Sequence, residues 1–513
     1  MTDPTDALRK AMQLNDAGDA PAAERILVEH LRTAPRDADA RVAHAVVLQR
    51  LGRASEAVAA YRQALEARPG DPIAQCNLGV VLRELGEFDA AEEVLRAAVA
   101  ERPEFVPALG NLGLVLCDLD RPEEAAEALE KAAALNPQAA EIHFALAGAY
   151  SALYRLEEAK ASYRQALALR PAFVPTRWNL SHLELLTGSF REGWELFESR
   201  WAIEPLASRR WSGVQPQWVG QELRGKTLYV FSEQGFGDTI QFVRYAPLAV
   251  ERGARVILRV QPELVRLAAT LAGVQDVGPL GGAPPECDFY CPIMSLPRAF
   301  GTTPETIPGA VPYFTADRDA VEGWRRRLGD PGPLRVGLVW SSGIRHYERS
   351  IFYAGVAKSM TLAQLAPLAG VRDVVFYSLQ KGEPAREAAR PPPGMRLVDL
   401  SAGLGDFADS AALIEALDLV ISVDTAAVHV AGALGKPVWN LVKYHACWRW
   451  LRGRPDSPWY PTMRLFRQPE PGDWTSVVEE AARALHALAA ERHATAGSAP
   501  RPGLVARLFG RGR

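Results

Sequence analysis

Five prolines, Pro35, Pro69, Pro103, Pro137 and Pro171, recur at intervals of 34 residues. A strict period of this length restricts what the chain can build, because each period is one supersecondary unit that cannot bury its own apolar face and must stack on its neighbours. Other positions recur in phase. Leu78-Gly79, Leu112-Gly113, Leu146-Ala147 and Leu180-Ser181 occupy one slot, Ala98, Ala132 and Ala166 a later one, and Leu95, Leu129 and Tyr163 another. A small residue beside leucine lets two antiparallel helices approach. Proline then ends each pair, since it lacks an N–H and restricts the residue before it. The prediction is a right-through helical array over residues 1–200, with five full periods from Pro4 to Phe173 and a degenerate sixth containing Trp178, Gly188, Phe190 and Trp194.

The segment "CNLGVVLRELGEFDAAEEVLRAAVAERP" and the period together resemble the tetratricopeptide family. That resemblance implies a superhelix that binds protein or peptide. Asn77, Asn111 and Asn179 fall in one repeat slot, which Ala145 interrupts. A repeated amide could hold a target backbone through its donor and acceptor sides, so these three are the candidate acceptor-binding residues. A helix-surface role is the competing reading.

The periodicity changes after a tryptophan-rich junction at 201–225, where Trp201, Trp211 and Trp218 point to burial against a neighbouring domain. Short apolar runs then alternate with amphipathic stretches. "TLYVFS", "RVILRV" and "CDFYCP" read as strands of a first half, 226–330. "LRVGLVW", "VVFYSLQ", "MRLVDLS", "LVISVD" and "PVWNLV" read as strands of a second, 331–475. Such alternation marks parallel sheets covered by helices. The expected fold class is therefore α plus α/β, a helical superhelix followed by two Rossmann-like domains. A terminal helix at 476–491 is placed to brace the first half, and a basic flexible tail fills 492–513. The length of 513 residues suits several cores.

The net charge of -3 argues against nucleic acid as the main partner. Five sparse cysteines, Cys76, Cys117, Cys287, Cys291 and Cys447, suit a reducing compartment. Cys287 and Cys291 lack a second pair to complete a metal site. With no leader-like start and no run of about 20 apolar residues, the expected location is cytoplasmic, with peripheral contact at the inner membrane left open.

Chemistry is expected where strands end. Gly235 and Gly237 stand between a strand and a helix, a place where a ligand can approach backbone, and Asp238 follows as either a helix N-cap or a general base. Asp424 ends a later strand. Thr425, Ala426 and Ala427 open a helix whose free N–H groups could hold a phosphate, with His429 one turn on. Ser341, Ser342, Arg345, His346 and Arg349 follow the first strand of the second half, and Gln380 and Lys381 follow another.

The Gly-x-Gly-Asp turn at 235–238 and the segment Asp424 to Pro437 resemble the heptosyltransferase-like family of two-domain inverting glycosyltransferases. The family's glycine after Asp-Thr is Ala426 here. The resemblance implies Asp238 as the base for the acceptor hydroxyl, Lys381 offsetting donor phosphate charge, and Thr425 with His429 holding diphosphate or sugar. No cofactor and no metal are implied, only a nucleotide-activated sugar as cosubstrate. A repeat array ahead of such a unit is similar to protein O-glycosyltransferases, including transferases proposed to decorate flagellin, so a protein acceptor chosen by the repeats is expected. A second copy of the chain is a further candidate partner. Two alternatives stand beside this reading: a transferase acting on lipopolysaccharide or another surface glycan, and a non-catalytic adaptor.

Overall fold

The computed structural model describes residues 4–329, 332–342 and 357–496. The chain divides into two compact units, Met1–Leu183 and Glu184–Arg513.

The first unit is a run of antiparallel helix pairs, beginning with Pro4–Asp16 and Ala20–Thr33 and repeating through Ala140–Ala152 and Leu156–Leu169. The repeat slots have a physical basis. A Cβ on Gly79 would lie 2.5 Å from Leu95 Cγ, and Gly113 sits in the same way against Leu129. The small slot of one helix therefore receives the leucine of its partner. Arg68, before Pro69, is extended at φ −143°, ψ 82°, as the residue before proline must be. Asp71 then caps the next helix by accepting the N–H groups of Ile73 and Ala74. A continuous core of alanine and leucine runs through the pairs, from Ala45 to Ala149.

The second unit carries two parallel sheets. In the first, β1 (Thr227–Phe231), β2 (Arg255–Val260), β3 (Asp276–Pro279) and β4 (Phe289–Pro292) lie in the order β3-β2-β1-β4. In the second, β5 (Leu334–Val339), β6 (Val374–Ser378), β7 (Leu397–Asp399), β8 (Leu419–Val423), β9 (Val438–Val442) and β10 (Met463–Arg467) lie in the order β7-β6-β5-β8-β9-β10. That is the doubly wound Rossmann order, whose direction reverses between β5 and β8, and ligands bind at the carboxyl ends of strands beside such a reversal. The first sheet follows the same scheme with four strands. Among the described residues no helix is long and apolar enough to cross a membrane.

Two boundaries differ from the sequence reading. The array does not extend to residue 200 as a separate body. Phe190, Trp194 and Phe197 are at most 2% exposed, and Trp194 packs against Phe242 and Trp448. Arg200 is fully buried. It donates to Glu233 at 3.0 Å, Ser295 at 2.6 Å and Glu198 at 2.7 Å. The residues just upstream of Trp201 are thus core of the second unit. The terminal helix runs Trp474–Ala496, and its Trp474, Val477, Val478, Ala481 and Leu485 join the core of the second sheet rather than bracing the first. The apolar stripe was legible, but the sheet it would cover was not.

In the junction, Trp218 is buried, and Trp211 stacks on Tyr290 at 5.1 Å and lies 5.2 Å from Tyr229. With Trp201 it covers the β1–β2 face that holds Tyr229, Phe231 and Ile257.

A chain beginning at Trp201 is expected to aggregate or melt early, because it leaves Glu233 buried without Arg200, a loss of about 3–5 kcal/mol, and bares Phe242 and Trp448. A chain beginning at Val174 is expected to melt cooperatively near the full-length value. Scanning calorimetry of the two fragments checks this.

Candidate functional site

The segment after β1 turns directly into the helix Phe236–Phe242. Asp238 is not its N-cap, as one reading of the sequence had it, but its third residue. Its Oδ2 accepts the Gly235 N–H at 2.9 Å, closing the first turn. The next residue, Thr239, donates to Gln261 Oε1 at 2.9 Å and its hydroxyl pairs with that of Ser232 at 3.0 Å, which ties the helix to the ends of β1 and β2. Behind the turn lies Glu233, 3% exposed, with Oε1 held by Arg200 and by the Met294 N–H. Burial pushes its carboxyl up to about 7 against the pull of Arg200.

The second half supplies the facing wall. Asp424 leaves β8, and Thr425 caps the helix Ala426–Ala433 by accepting the Ala427 N–H at 3.3 Å, while Ser422 and Thr425 hydroxyls pair at 3.0 Å. His429 is 4% exposed. Its Nδ1 pairs with the Tyr460 hydroxyl at 2.9 Å, and its ring stacks on Trp450. Burial, then the charges of Arg449, Arg244 and Lys358, hold it well below the usual histidine range, so the ring is neutral at pH 7.

The two halves meet here. A Cβ on Gly237 would lie 2.9 Å from His429 Cδ2 and 3.2 Å from its Nε2. Gly237 is therefore glycine because an imidazole abuts its backbone, whereas the sequence suggested a ligand there. Asp238 Oδ1 is ion-paired with Arg449 of the second half. Arg244, 4% exposed, adds a strut. It donates to the carbonyls of Trp459 at 2.7 Å and Pro308 at 2.9 Å, and to the Tyr313 hydroxyl at 3.1 Å.

Lys358 and Arg449 lie near enough to His429 to act on it electrostatically, and Lys443 lies within such reach of Lys358 and Asp424. Burial, and the charge of Lys358, lower the Lys443 ammonium, while Cys447 and Asp424 oppose the shift. Sequence reasoning missed Lys443 and Arg449 because they follow β9 in a stretch without glycine or a familiar spacing. Lys358 and Arg244 likewise stand in no spacing that marks them as functional. The signal that could have found the pair after β9 was position, at the carboxyl end of a central strand.

Other candidates are used differently. Gln380 is 3% exposed and internally satisfied: Oε1 accepts the N–H groups of Trp340 and Ser341, and Nε2 donates to the carbonyls of Ser341 and Lys381. It clamps β5 to β6. Lys381 donates to the carbonyls of Leu404 at 2.6 Å and Ser401 at 3.1 Å, which turns its ammonium to its own loop. Ser341 and Ser342 are buried at the end of β5, where the Ser342 hydroxyl pairs with Ser359 at 3.2 Å. Arg345, His346 and Arg349 lie outside the described residues. Asn179 donates to the Tyr163 hydroxyl at 3.1 Å and Asn111 to Cys76 Sγ at 3.5 Å, while Asn77 lies beside Tyr61. Asn111 and Asn179 thus each make a bond within the array. The helix-to-helix partner was hidden from a reading that saw only their common slot.

A cavity of about 510 Å³ opens beside the Gly235 turn, lined by Arg209, Arg210, Trp211, Tyr229, Glu233 and Gln261 among others. It adjoins the carboxyl edge of the first sheet and gives the first half a recess of its own.

Against known proteins, tetratricopeptide repeat models match residues 8–72, 42–104, 106–139 and 140–173. The glycosyltransferase family 9 (heptosyltransferase) model matches residues 360–459. Matches to tetratricopeptide repeat models and to a glycosyltransferase family 9 model thus fall in one chain. Lys443, Arg449 and His429 lie within that match, and Asp238 lies outside it. Protein FlbA of Caulobacter vibrioides is 30% identical over 334 residues, which cover 60% of this chain and 54% of that protein. The chain thus spans about half the length of this relative. Among solved structures, a thermophilic tetratricopeptide protein of Thermus thermophilus is 28% identical over 36% of this chain and 100% of its own, at a TM-score of 0.31. Pseudomonas aeruginosa PilF is 22% identical over 39% and 92%, at 0.36.

Because the folded state depresses His429, the stability this residue contributes is complete above its ordinary value of about 6.5 and is lost as pH falls toward the folded value. Urea unfolding from about pH 7 to about pH 5 is expected to show falling stability. His429→Gln is expected to flatten that slope, and an unchanged slope counts against a buried neutral imidazole.

Proposed function

We propose that the chain is an inverting glycosyltransferase that moves a sugar from a nucleotide diphosphate donor to a hydroxyl of a protein acceptor. The observation that carries this reading is the set of cations Lys358, Lys443 and Arg449 within electrostatic reach of His429 or Asp424 at helix Ala426–Ala433, with Arg449 paired to Asp238. Helix N–H groups and partly desolvated cations favour a diphosphate, and they supply the positive charge that the departing nucleotide needs without calling on a metal ion. Thr425 and the Ala426 amide hold phosphate oxygens. His429, neutral and held by Tyr460 through Nδ1, offers its Nε2 to phosphate or sugar.

Asp238 is the base. A hydroxyl is a poor nucleophile, and a carboxylate within reach accepts its proton as the oxygen attacks the anomeric carbon. One such displacement breaks the bond from that carbon to the phosphate oxygen, expels the nucleoside diphosphate and inverts the centre. The acceptor approaches over the first sheet, beside the recess at Trp211 and Gln261. The repeats choose the acceptor polypeptide, and flagellin is one protein of the required class.

Asp238→Asn preserves the acceptor for the Gly235 N–H but is a poor base. It is expected to melt near the wild-type temperature and bind donor no more weakly, with turnover reduced about 10²-fold or more. Activity is read by intact-mass spectrometry of acceptor protein incubated with a panel of nucleotide sugars. Wild-type turnover by D238N removes Asp238 from the mechanism, and failure of well-folded wild-type protein to bind any donor in the panel counts against the transferase reading.

Removing residues 1–173 is expected to spare donor binding and to abolish modification of a full-length protein acceptor. Normal modification by the shortened chain, in the same mass-spectrometric assay, would show that the repeats do not choose the acceptor.

A further inference from the structure

Asp238, the proposed base, does not stand free. Oδ2 takes the Gly235 N–H and Oδ1 takes Arg449. The ion pair crosses from the turn after β1 to the segment after β9, and both side chains are largely withdrawn from water, at 21% and 11% exposed. A carboxylate whose two oxygens are both occupied by strong donors is poorly placed to take a proton from a third group.

Arg449 has other interests. Its guanidinium lies over Trp448 at 4.2 Å and over Phe242 at 5.8 Å, surfaces that hold the plane without fixing its charge. One N–H reaches Cys447 Sγ at 3.0 Å, a weak acceptor, and Nε is buried with no hydrogen-bond partner among the described residues. Asp238 is the carboxylate paired with it. Arg449 also acts electrostatically on His429 and feels Asp424, so it stands within the cationic wall that receives the donor. A planar guanidinium with an unmatched donor, next to Lys443 and the Ala426 helix, suits a phosphate oxygen.

We propose that Asp238 and the donor diphosphate compete for Arg449, so that seating the donor draws Arg449 away and releases the carboxylate to act as base. This rests on the diphosphate reading given above and adds an order to it: donor first, base second. Before the donor arrives the carboxylate is held, and the guanidinium passes from one anion to another rather than standing unpaired. Arg449 is in this sense a positioning residue for Asp238 as well as a ligand for phosphate.

The linkage can be measured without turnover, by calorimetry of inorganic pyrophosphate binding to the full-length chain and to D238N, R449M and the double variant. Removing the competing carboxylate is expected to tighten pyrophosphate roughly 3- to 10-fold in D238N. R449M is expected to weaken binding, and D238N to have no further effect in the R449M background. Equal tightening by D238N with and without Arg449 would mean that the carboxylate acts only as a nearby negative charge, and would overturn the proposal. So would unchanged affinity in D238N, while wild-type binding kept the diphosphate reading intact. Absence of binding in all four proteins overturns both. Should R449M fail to fold, Arg449→Gln replaces it in the same cycle.

Discussion

The contact between Gly237 and His429 sets the geometry on which the rest of the site depends. It requires a residue without Cβ on one side and places a buried imidazole on the other. The ring is kept uncharged by its burial and by the surrounding cations, and Tyr460 and Trp450 fix its orientation. Because the helices Phe236–Phe242 and Ala426–Ala433 abut at this point, Asp238 comes within ion-pairing distance of Arg449. Arg244 reinforces the joint through carbonyl and phenol oxygens rather than a carboxylate, which leaves its positive charge to add to that of the facing wall.

The upstream residues are part of the same machine. The Arg200 cluster holds Glu233, which lies two residues before Gly235, and Trp194 packs on Phe242 at the end of the glycine-turn helix. A stretch that reads as the fading end of a repeat array is therefore what fixes the turn carrying Asp238. Insertion of a buried Arg-Glu pair is costly unless every donor and acceptor is well matched, and the Ser295 and Glu198 contacts provide much of that matching.

Much of this was visible in the sequence. The 34-residue period determined the array because stacking is the one way such units bury their leucines, and the alternation of short apolar runs revealed both parallel sheets. The pairing of Gly235–Asp238 with Asp424–His429 was legible as two strand ends, though nothing in the chain order showed that they touch. What stayed hidden depends on tertiary neighbours. Gln380 and Lys381 carry ligand-like groups, but the ends of β5 and the loop at Ser401–Leu404 take up their hydrogen bonds. Lys443 and Arg449 look like surface cations until β9 is seen beside β8 in the sheet. Asn111 and Asn179 look alike in their repeat slot, yet find different partners, Cys76 and Tyr163, in their neighbours.

The central claim is that the diphosphate of an activated sugar sits against the helix Ala426–Ala433, between the two sheets. A crystal structure of the full-length chain with a bound nucleoside diphosphate tests it most directly. The account predicts phosphate oxygens on the Ala426 amide and the Thr425 hydroxyl, in contact with Lys443, with Arg449 turned from Asp238 toward them. A diphosphate bound elsewhere in the chain, with this helix end and its cations untouched, would contradict it.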